Sequence, residues 1–511
     1  MACIDLQLPE DIWQCVASFI PIAELPILIS VNKAFYNIVL DARYREIYWV
    51  KLDGFMSKSL VRLRTPSIAR RVRRLHIRAW FIEYLVRKES LEPTSYFLSS
   101  KRWVSRQLRL PLTPVRITPG LSGKSSAARE ILESMTAAAR LMTGLTEYSF
   151  EWRDLSPTPD TLQLLATART AFGKSLRKLT LNAQLPNFSK LLSTADFDSL
   201  EELELYFDHD TDDLSGGLLR DNITPFVNHF RRSLRSLLIS SSSKADLSPL
   251  FYALQPLPHL HNFVVCLAFD VIHLSDPHGF VQTLRTNADS LSSVEVGQSS
   301  AASSYPDPAP RSTWVGLTTA LMLDEAILAD LTVLKIPALH DFDATIACLR
   351  RSANTLESLT LLDFFLTESQ LVELINLFAH RRFDVGLKTL HIGITYLSPT
   401  VFDLISSRLP GLLSLSIVLW GAILASEVGD HHTRFRSPFC LALVGHHYPD
   451  WSLTNLGIWE KRFIDSPITK SDEKMLMEHL SRCIPGLQTF KGKPIPSSFD
   501  WCPVWDGDRQ R

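Results

Sequence analysis

Apolar residues in this chain keep returning in one arrangement. "SLRKLTL" from Ser175, "SLEELEL" from Ser199 and "SLRSLLI" from Ser233 share the phrase Leu-x-x-Leu-x-Leu/Ile/Val. Anchored on its first leucine, the phrase recurs at Leu176, Leu200, Leu234, Leu260, Leu291, Leu331, Leu356, Leu387, Leu412, Leu453 and Leu487. The intervals run from 24 to 41 residues. "VRRLHI" at Val72 and "GLTEYSF" at Gly144 read as earlier, weaker copies. The last three positions alternate apolar, variable, apolar, which predicts a short strand with one face inward. Between copies, residues 160–172, 341–356, 368–382 and 472–484 have helical patterning. A strand followed by a returning helix, many times over, predicts parallel strands, because each crossover comes back to the same end. One such unit cannot bury its apolar face alone, so neighbours are expected to stack.

The front of the chain is patterned differently. In "LQLPEDIWQCVASFI", residues 6–20, Leu8, Ile12, Val16 and Phe19 or Ile20 fall at helical spacing. Pro9 suits the first helical turn, where a missing N–H is no loss, and Glu10 and Asp11 suit the positive end of the helix dipole. Two further helices are expected in "AELPILISVNKAF" and "YNIVLDARYREIYW", with Leu25, Leu28, Val31 and Phe35 along one stripe. A stretch this apolar at a chain end, where polar residues are the norm, calls for something to cover it.

These patterns carry two resemblances. Residues 140–495 resemble the leucine-rich-repeat family, which implies a curved ladder with helices outside. The usual repeat, however, places Asn or Cys three residues after the last leucine of the phrase. Here Gln184, Asp208, Ser242 and Thr395 stand there. No asparagine ladder is expected, the pitch should be irregular, and an unrelated α/β solenoid is the alternative. Leu8 to Trp49 resembles an F-box, through Leu8-Pro9, Glu10, Asp11, Ile12, Val16, Phe19, Glu24-Leu25, Val31 and Phe35, closing in the manner of fungal members. That resemblance implies docking on a Skp-type adaptor and, through it, on the cullin scaffold of an SCF ubiquitin ligase. The adaptor-facing positions it implies are Leu8, Pro9, Ile12, Val16, Leu25, Leu28 and Val31. The expected class is α/β: a three-helix F-box at 1–50, a basic connection with a possible first repeat at 51–140, an irregular leucine-rich-repeat solenoid at 141–496, and a tail at 497–511.

Composition changes this picture little. The chain has 511 residues, too many for one core, with 46% hydrophobic and 21% charged residues and a formal net charge of −1. No overall field draws nucleic acid or an acidic membrane. Seven scattered cysteines with no Cys-x-x-Cys point to reduced thiols, hence cytoplasm or nucleus. Asp5, Glu10 and Asp11 interrupt any secretory leader. Leu409 to Ser426 carries no charge over 18 residues, yet Pro410-Gly411 breaks it and it keeps step with the repeat, so a strand is preferred to a membrane span.

Charge is uneven. Residues 51–116 hold sixteen Lys or Arg against four acidic residues, densest in "ARRVRRLHIR" from Ala69. Nuclear-import or phosphate binding is conceivable there, but a half-buried strand with basic outward positions accounts for it. Residues 191–225 are acidic, ten to one. Adjacent parallel strands lie about 4.8 Å apart, so Arg177 and Lys178 should neutralise Glu201 and Glu202. Lys388 and His391, near Ser414 and Ser416, are the candidate contacts for a protein substrate. The Ser/Pro-rich stretch 299–313 and residues 427–437 are expected loops.

Catalytic signals fail on inspection. Gly123-Lys124-Ser125 ends like a phosphate loop, but Thr118 stands where the first glycine is required. His431-His432 and His446-His447 are adjacent pairs, without the i, i+4 spacing that turns two ligands to one metal, and are expected to face solvent. Neither cofactor nor metal is expected, and the chain reads as an adaptor rather than an enzyme. Its expected partners are the adaptor, the cullin scaffold and a protein substrate, with no nucleic acid and no membrane. The alternatives are a repeat scaffold with no ubiquitin role, whose first helices merely cap the array, and an enzyme or small-ligand sensor, for which no residue speaks.

Overall fold

The structure, a computed structural model, describes residues 9–21, 23–79, 81–82, 127–153, 158–194, 197, 200–208, 216–267, 273–297, 317, 319–337, 342–379, 386–419, 439, 442–460 and 470–494. Leu8, the phosphate-loop look-alike, His431-His432, the two expected loops and the tail fall outside those residues. The chain divides into two compact units: Met1–Ser290 with Gln298–Pro310, and Leu291–Gly297 with Arg311–Arg511.

The first unit opens with helix α1 (Glu10–Ser18), a 3-10 helix (Leu25–Ser30) and helix α2 (Lys33–Tyr44). Its strands are β1 (Glu46–Trp49), β2 (Arg74–Arg78), β3 (Glu147–Arg153), β4 (Lys178–Gln184), β5 (Glu202–Asp208), β6 (Ser236–Ser241) and β7 (Asn262–Cys266). Each pairs in parallel with the next. The second unit holds β8 (Ser293–Gly297), β9 (Val333–Pro337), β10 (Ser358–Leu366), β11 (Thr389–Ile394), β12 (Ser414–Leu419), β13 (Asn455–Glu460), β14 (Thr489–Phe490) and β15 (Lys493–Pro494). These too pair in chain order and in parallel, except the last pair. With strand and helix alternating, the architecture is that of an α/β repeat solenoid. All eleven copies of the leucine phrase carry a strand, as do the two weaker ones.

Alternation explains why these strands form. In β4, Leu179, Leu181 and Ala183 are fully buried while Lys178, Thr180 and Asn182 are half-buried. Each leucine withdrawn from water contributes roughly 1.5–3 kcal/mol. Helices form in the predicted segments, observed at Pro159–Phe172, Phe342–Ser352, Glu368–Phe378 and Lys470–Cys483.

In place of an asparagine ladder, the repeats are joined by a recurring forked backbone contact. The N–H groups of Arg177 and Lys178 both donate to the Thr146 carbonyl, those of Glu201 and Glu202 to Arg177, and those of Arg235 and Ser236 to Glu201. The same fork recurs in the second unit, from Glu357 and Ser358 to Thr332, Lys388 and Thr389 to Glu357, and Leu413 and Ser414 to Lys388. Any residue supplies a backbone carbonyl, so the register needs no fixed side chain. A hydroxyl just before the first leucine reinforces it twice: Ser175 Oγ donates to the Leu145 carbonyl and Thr355 Oγ1 to that of Leu331, each at 2.8 Å.

Four expectations need correction. Pro9 is the N-cap of α1, one residue ahead of the first turn. The second helix is a 3-10 segment ended by Asn32, whose Oδ1 accepts from Phe35 N–H at 2.8 Å and starts α2 afresh. "EIYW", read as helix, is β1, because Ile47 and Trp49 alternate with Glu46 and Tyr48 and are buried against the next layer. Finally, β15 runs antiparallel to β14 after a two-residue turn, Lys491-Gly492, in which both residues have positive φ. Such a turn matches the twist of a hairpin. The uncharged stretch from Leu409 contains β12, and among the described residues no helix is long and apolar enough to cross a membrane.

Candidate functional site

The first helices carry two kinds of apolar residue. Ala17, Leu25, Phe35 and Val39 form a small core, with Trp13, Ile20, Leu28, Ile29 and Ile38 packed around it. Trp13 meets Phe35 with ring centroids 5.4 Å apart. The second kind is left in water. Ile12 and Val16, one turn apart on α1, are 43% and 41% exposed. Phe19 is 83% exposed, Ile27 75% and Val31 58%. Of the positions that the resemblance assigns to the adaptor, Pro9, Ile12, Val16 and Val31 are exposed and Leu28 is half-buried. Leu25 differs from these: at 6% exposure it sits in the core that also holds Phe35.

Side chains from the adjoining basic stretch fasten these helices in place. The Arg71 guanidinium donates to the Asn37 carbonyl, to Asn37 Oδ1 and to Asp41 Oδ1, at 3.2, 2.8 and 2.7 Å. Arg62 donates to the Tyr44 hydroxyl at 2.9 Å. Other basic residues are occupied within the sheet: Arg73 binds the Gly144 carbonyl, Arg74 pairs with Glu147 and Arg78 with Glu151.

Away from its core, the sheet of the first unit shows alternating charge. Arg177 stands 3.8 Å from Glu201, and Lys178 lies 3.4 Å from Glu202 and 2.5 Å from Glu204. Burial works against the Lys178 charge, but Glu204 and Glu202 outweigh it and hold the ammonium above its usual range. Tyr48 stacks on His76, rings 4.6 Å apart, with the Tyr48 hydroxyl donating to Glu46.

In the second unit the same face is close to neutral. Lys335 pairs with Glu295, and Lys388 with Glu357 at 3.0 Å. Lys388 is thus half-exposed and occupied. His391 is half-buried, and burial, helped by Lys335, pushes its imidazole below the usual range and favours its neutral form. The two substrate candidates do not converge: Lys388 reaches back toward Glu357, whereas His391 leans toward Trp459, ring centroids 6.2 Å apart.

His446 differs from the expectation of a solvent-facing residue. Its Nδ1 lies 3.1 Å from Asp403 Oδ1, which also accepts the Tyr448 hydroxyl at 2.9 Å. Burial and that carboxylate raise the Tyr448 phenol well above its usual range. Among the described residues no group of His, Cys, Asp and Glu is placed to hold a metal.

The family model of the F-box domain matches residues 6–46. Those residues, with the core and exposed rim described above, are an F-box domain. None of the curated proteins compared with the chain matches it. Among solved structures the chain is similar to one of the Rad7 and Elc1 complex of yeast, at 17% identity and a TM-score of 0.38, over 59% of this chain and 76% of that one.

Sequence reasoning passed over three exposed residues. Phe19 belonged to the motif but was not assigned outward, and Ile27 was hidden inside an apolar run. Trp459 was not singled out, although Gly457 and Trp459, two residues apart in a strand, mark a glycine and an indole on one face.

Proposed function

We propose that this protein is a substrate receptor of a cullin-based ubiquitin ligase. Its F-box would hold a Skp-type adaptor and its repeats a protein to be modified, in cytoplasm or nucleus. The observation that carries this reading is the exposed apolar set Ile12, Val16, Phe19, Ile27 and Val31 on the domain matched as an F-box. Five such side chains, each worth roughly 1.5–3 kcal/mol when covered, suffice for a stable complex even after the cost of association. The chain then supplies proximity and no bond-making group: a substrate held near a conjugating enzyme reacts at raised effective concentration.

The test is purification with the adaptor and measurement of affinity. Wild type should bind, and Ile12→Asp/Val16→Asp should lose at least about a hundredfold, since each buried unpaired charge costs several kcal/mol. A double variant that binds as wild type, or a wild type that never takes up the adaptor, overturns the reading in favour of a repeat scaffold without a ubiquitin role.

A further inference from the structure

On the face of the second unit turned away from its core, the register sets His391 beside Ser416, and Ser416 beside Gly457. Trp459, two residues on from Gly457, leans back along β13 until its six-membered ring lies over the Gly457 Cα. Any side chain at 457 would strike it. The indole and the imidazole therefore approach each other, 6.2 Å apart and tilted by 37°, from the two strands that flank Ser416. Ser416 stands on the strand between them. Neither Ser416 Oγ nor His391 Nε2 is reached by water, and neither has a hydrogen-bond partner among the described residues.

Two adjacent unpaired polar atoms are costly, at about 1–3 kcal/mol each, and where a native structure retains them they are commonly there to meet something. The side chain beside them lies at the surface. The indole is 42% exposed and lies over a glycine, where no Cβ stands beneath its six-membered ring. The charges around the slot are already compensated, Lys335 by Glu295 and Lys388 by Glu357. A carboxylate or an ammonium entering here would lose hydration without gaining a free counter-charge. An uncharged group that both donates and accepts suits a neutral imidazole and a hydroxyl, which also do both.

We propose that Ser416, His391 and Trp459 form an anchor site for an extended segment of the partner protein, which inserts an Asn or Gln carboxamide between the imidazole and the displaced indole. The inference rests on the reading that the repeats hold a protein, and it adds the class of side chain recognised. The probe is a library of random linear peptides displayed on phage and selected on the full-length protein, with individual winners then synthesised. Selected peptides should carry Asn or Gln at one shared position. Ser416→Val should weaken them about tenfold or more, while its melting temperature stays the same or rises, because it removes an unpaired buried atom. A serine with a merely structural role would give the opposite pair of results. Winners dominated by acidic or basic residues, no shared position at all, or affinities untouched by Ser416→Val would overturn the proposal. Adaptor binding is measured separately through α1, so failure of the ligase reading and failure of the anchor site are distinguishable.

Discussion

At the scale of single residues, the F-box separates two jobs that share one chemistry. Ile12 and Leu25 are both branched apolar side chains, yet one is 43% exposed and the other 6%. Phe35→Ala should destabilise the N-terminal helices by about 3–5 kcal/mol through the cavity it leaves, and Leu25→Ala by about 2–5 kcal/mol. Ile12→Ala should leave the melting temperature within error and act on adaptor affinity alone. Differential scanning of the three variants beside a binding titration checks the division. If Ile12→Ala lowers the melting point as much as Leu25→Ala does, Ile12 belongs to the core. Gly457→Ala carries a second residue-scale expectation. The added methyl must push the Trp459 ring off the strand, which should shift the indole emission relative to a Trp459→Phe reference while the fold persists.

At the scale of elements, caps decide where helices begin. Thr367 and Gln370 form a capping box ahead of Glu368–Phe378: Thr367 N–H donates to Gln370 Oε1 at 3.0 Å, and Gln370 N–H to Thr367 Oγ1 at 3.4 Å. Thr367→Ala should cost about 1 kcal/mol, read as faster hydrogen exchange in that helix. A carboxylate serves the helix Ser248–Ala253. Burial would raise the Asp246 carboxyl, but hydrogen bonds from the Ser275 hydroxyl and from Ser248 outweigh it and leave the group below its usual range. A folded-state pKa below the unfolded value contributes stability that is complete above about pH 3.9 and is lost as the pH falls through the folded value. Protection of residues 248–253 against exchange, taken relative to the intrinsic amide rate at each pH, should therefore fall on acidification in that window. Asp246→Asn should remove the pH dependence; a variant that titrates like wild type would refute the assignment.

For the whole molecule, the placement of β1 matters most. The strand comes directly after the F-box helices, yet it pairs with β2, and Ile47 and Trp49 are almost wholly buried. A chain begun at Arg45 should keep the sheet intact and lose only adaptor binding. A chain begun at Lys51 should strip β2 of its neighbour, expose an unpaired edge and aggregate. Size-exclusion chromatography of the two truncations distinguishes these outcomes, and equal behaviour would mean that β1 is dispensable. The forked backbone contacts act on the same scale. Because the repeats are joined through main-chain carbonyls at Thr146, Arg177 and Glu201, the side chains there can vary with little effect on register.

The leucine phrase by itself determined the strands, their parallel order and the core they share, because a period of two with one apolar face has few other ways to leave water. The F-box was equally legible, since its order of apolar and acidic residues is local. The pattern could not separate helix from strand in "EIYW", four residues in which either period fits, nor tell that Asn32 would start a new helix or that Leu25 would lie in the core. Only the tertiary structure decided which apolar residues remain in water, that Lys388 and His391 point to different neighbours, and that an indole lies over a glycine beside two unpaired atoms. Those facts depend on side chains brought together across strands from repeats tens of residues apart, and a pattern read along one strand carries no information about its neighbour.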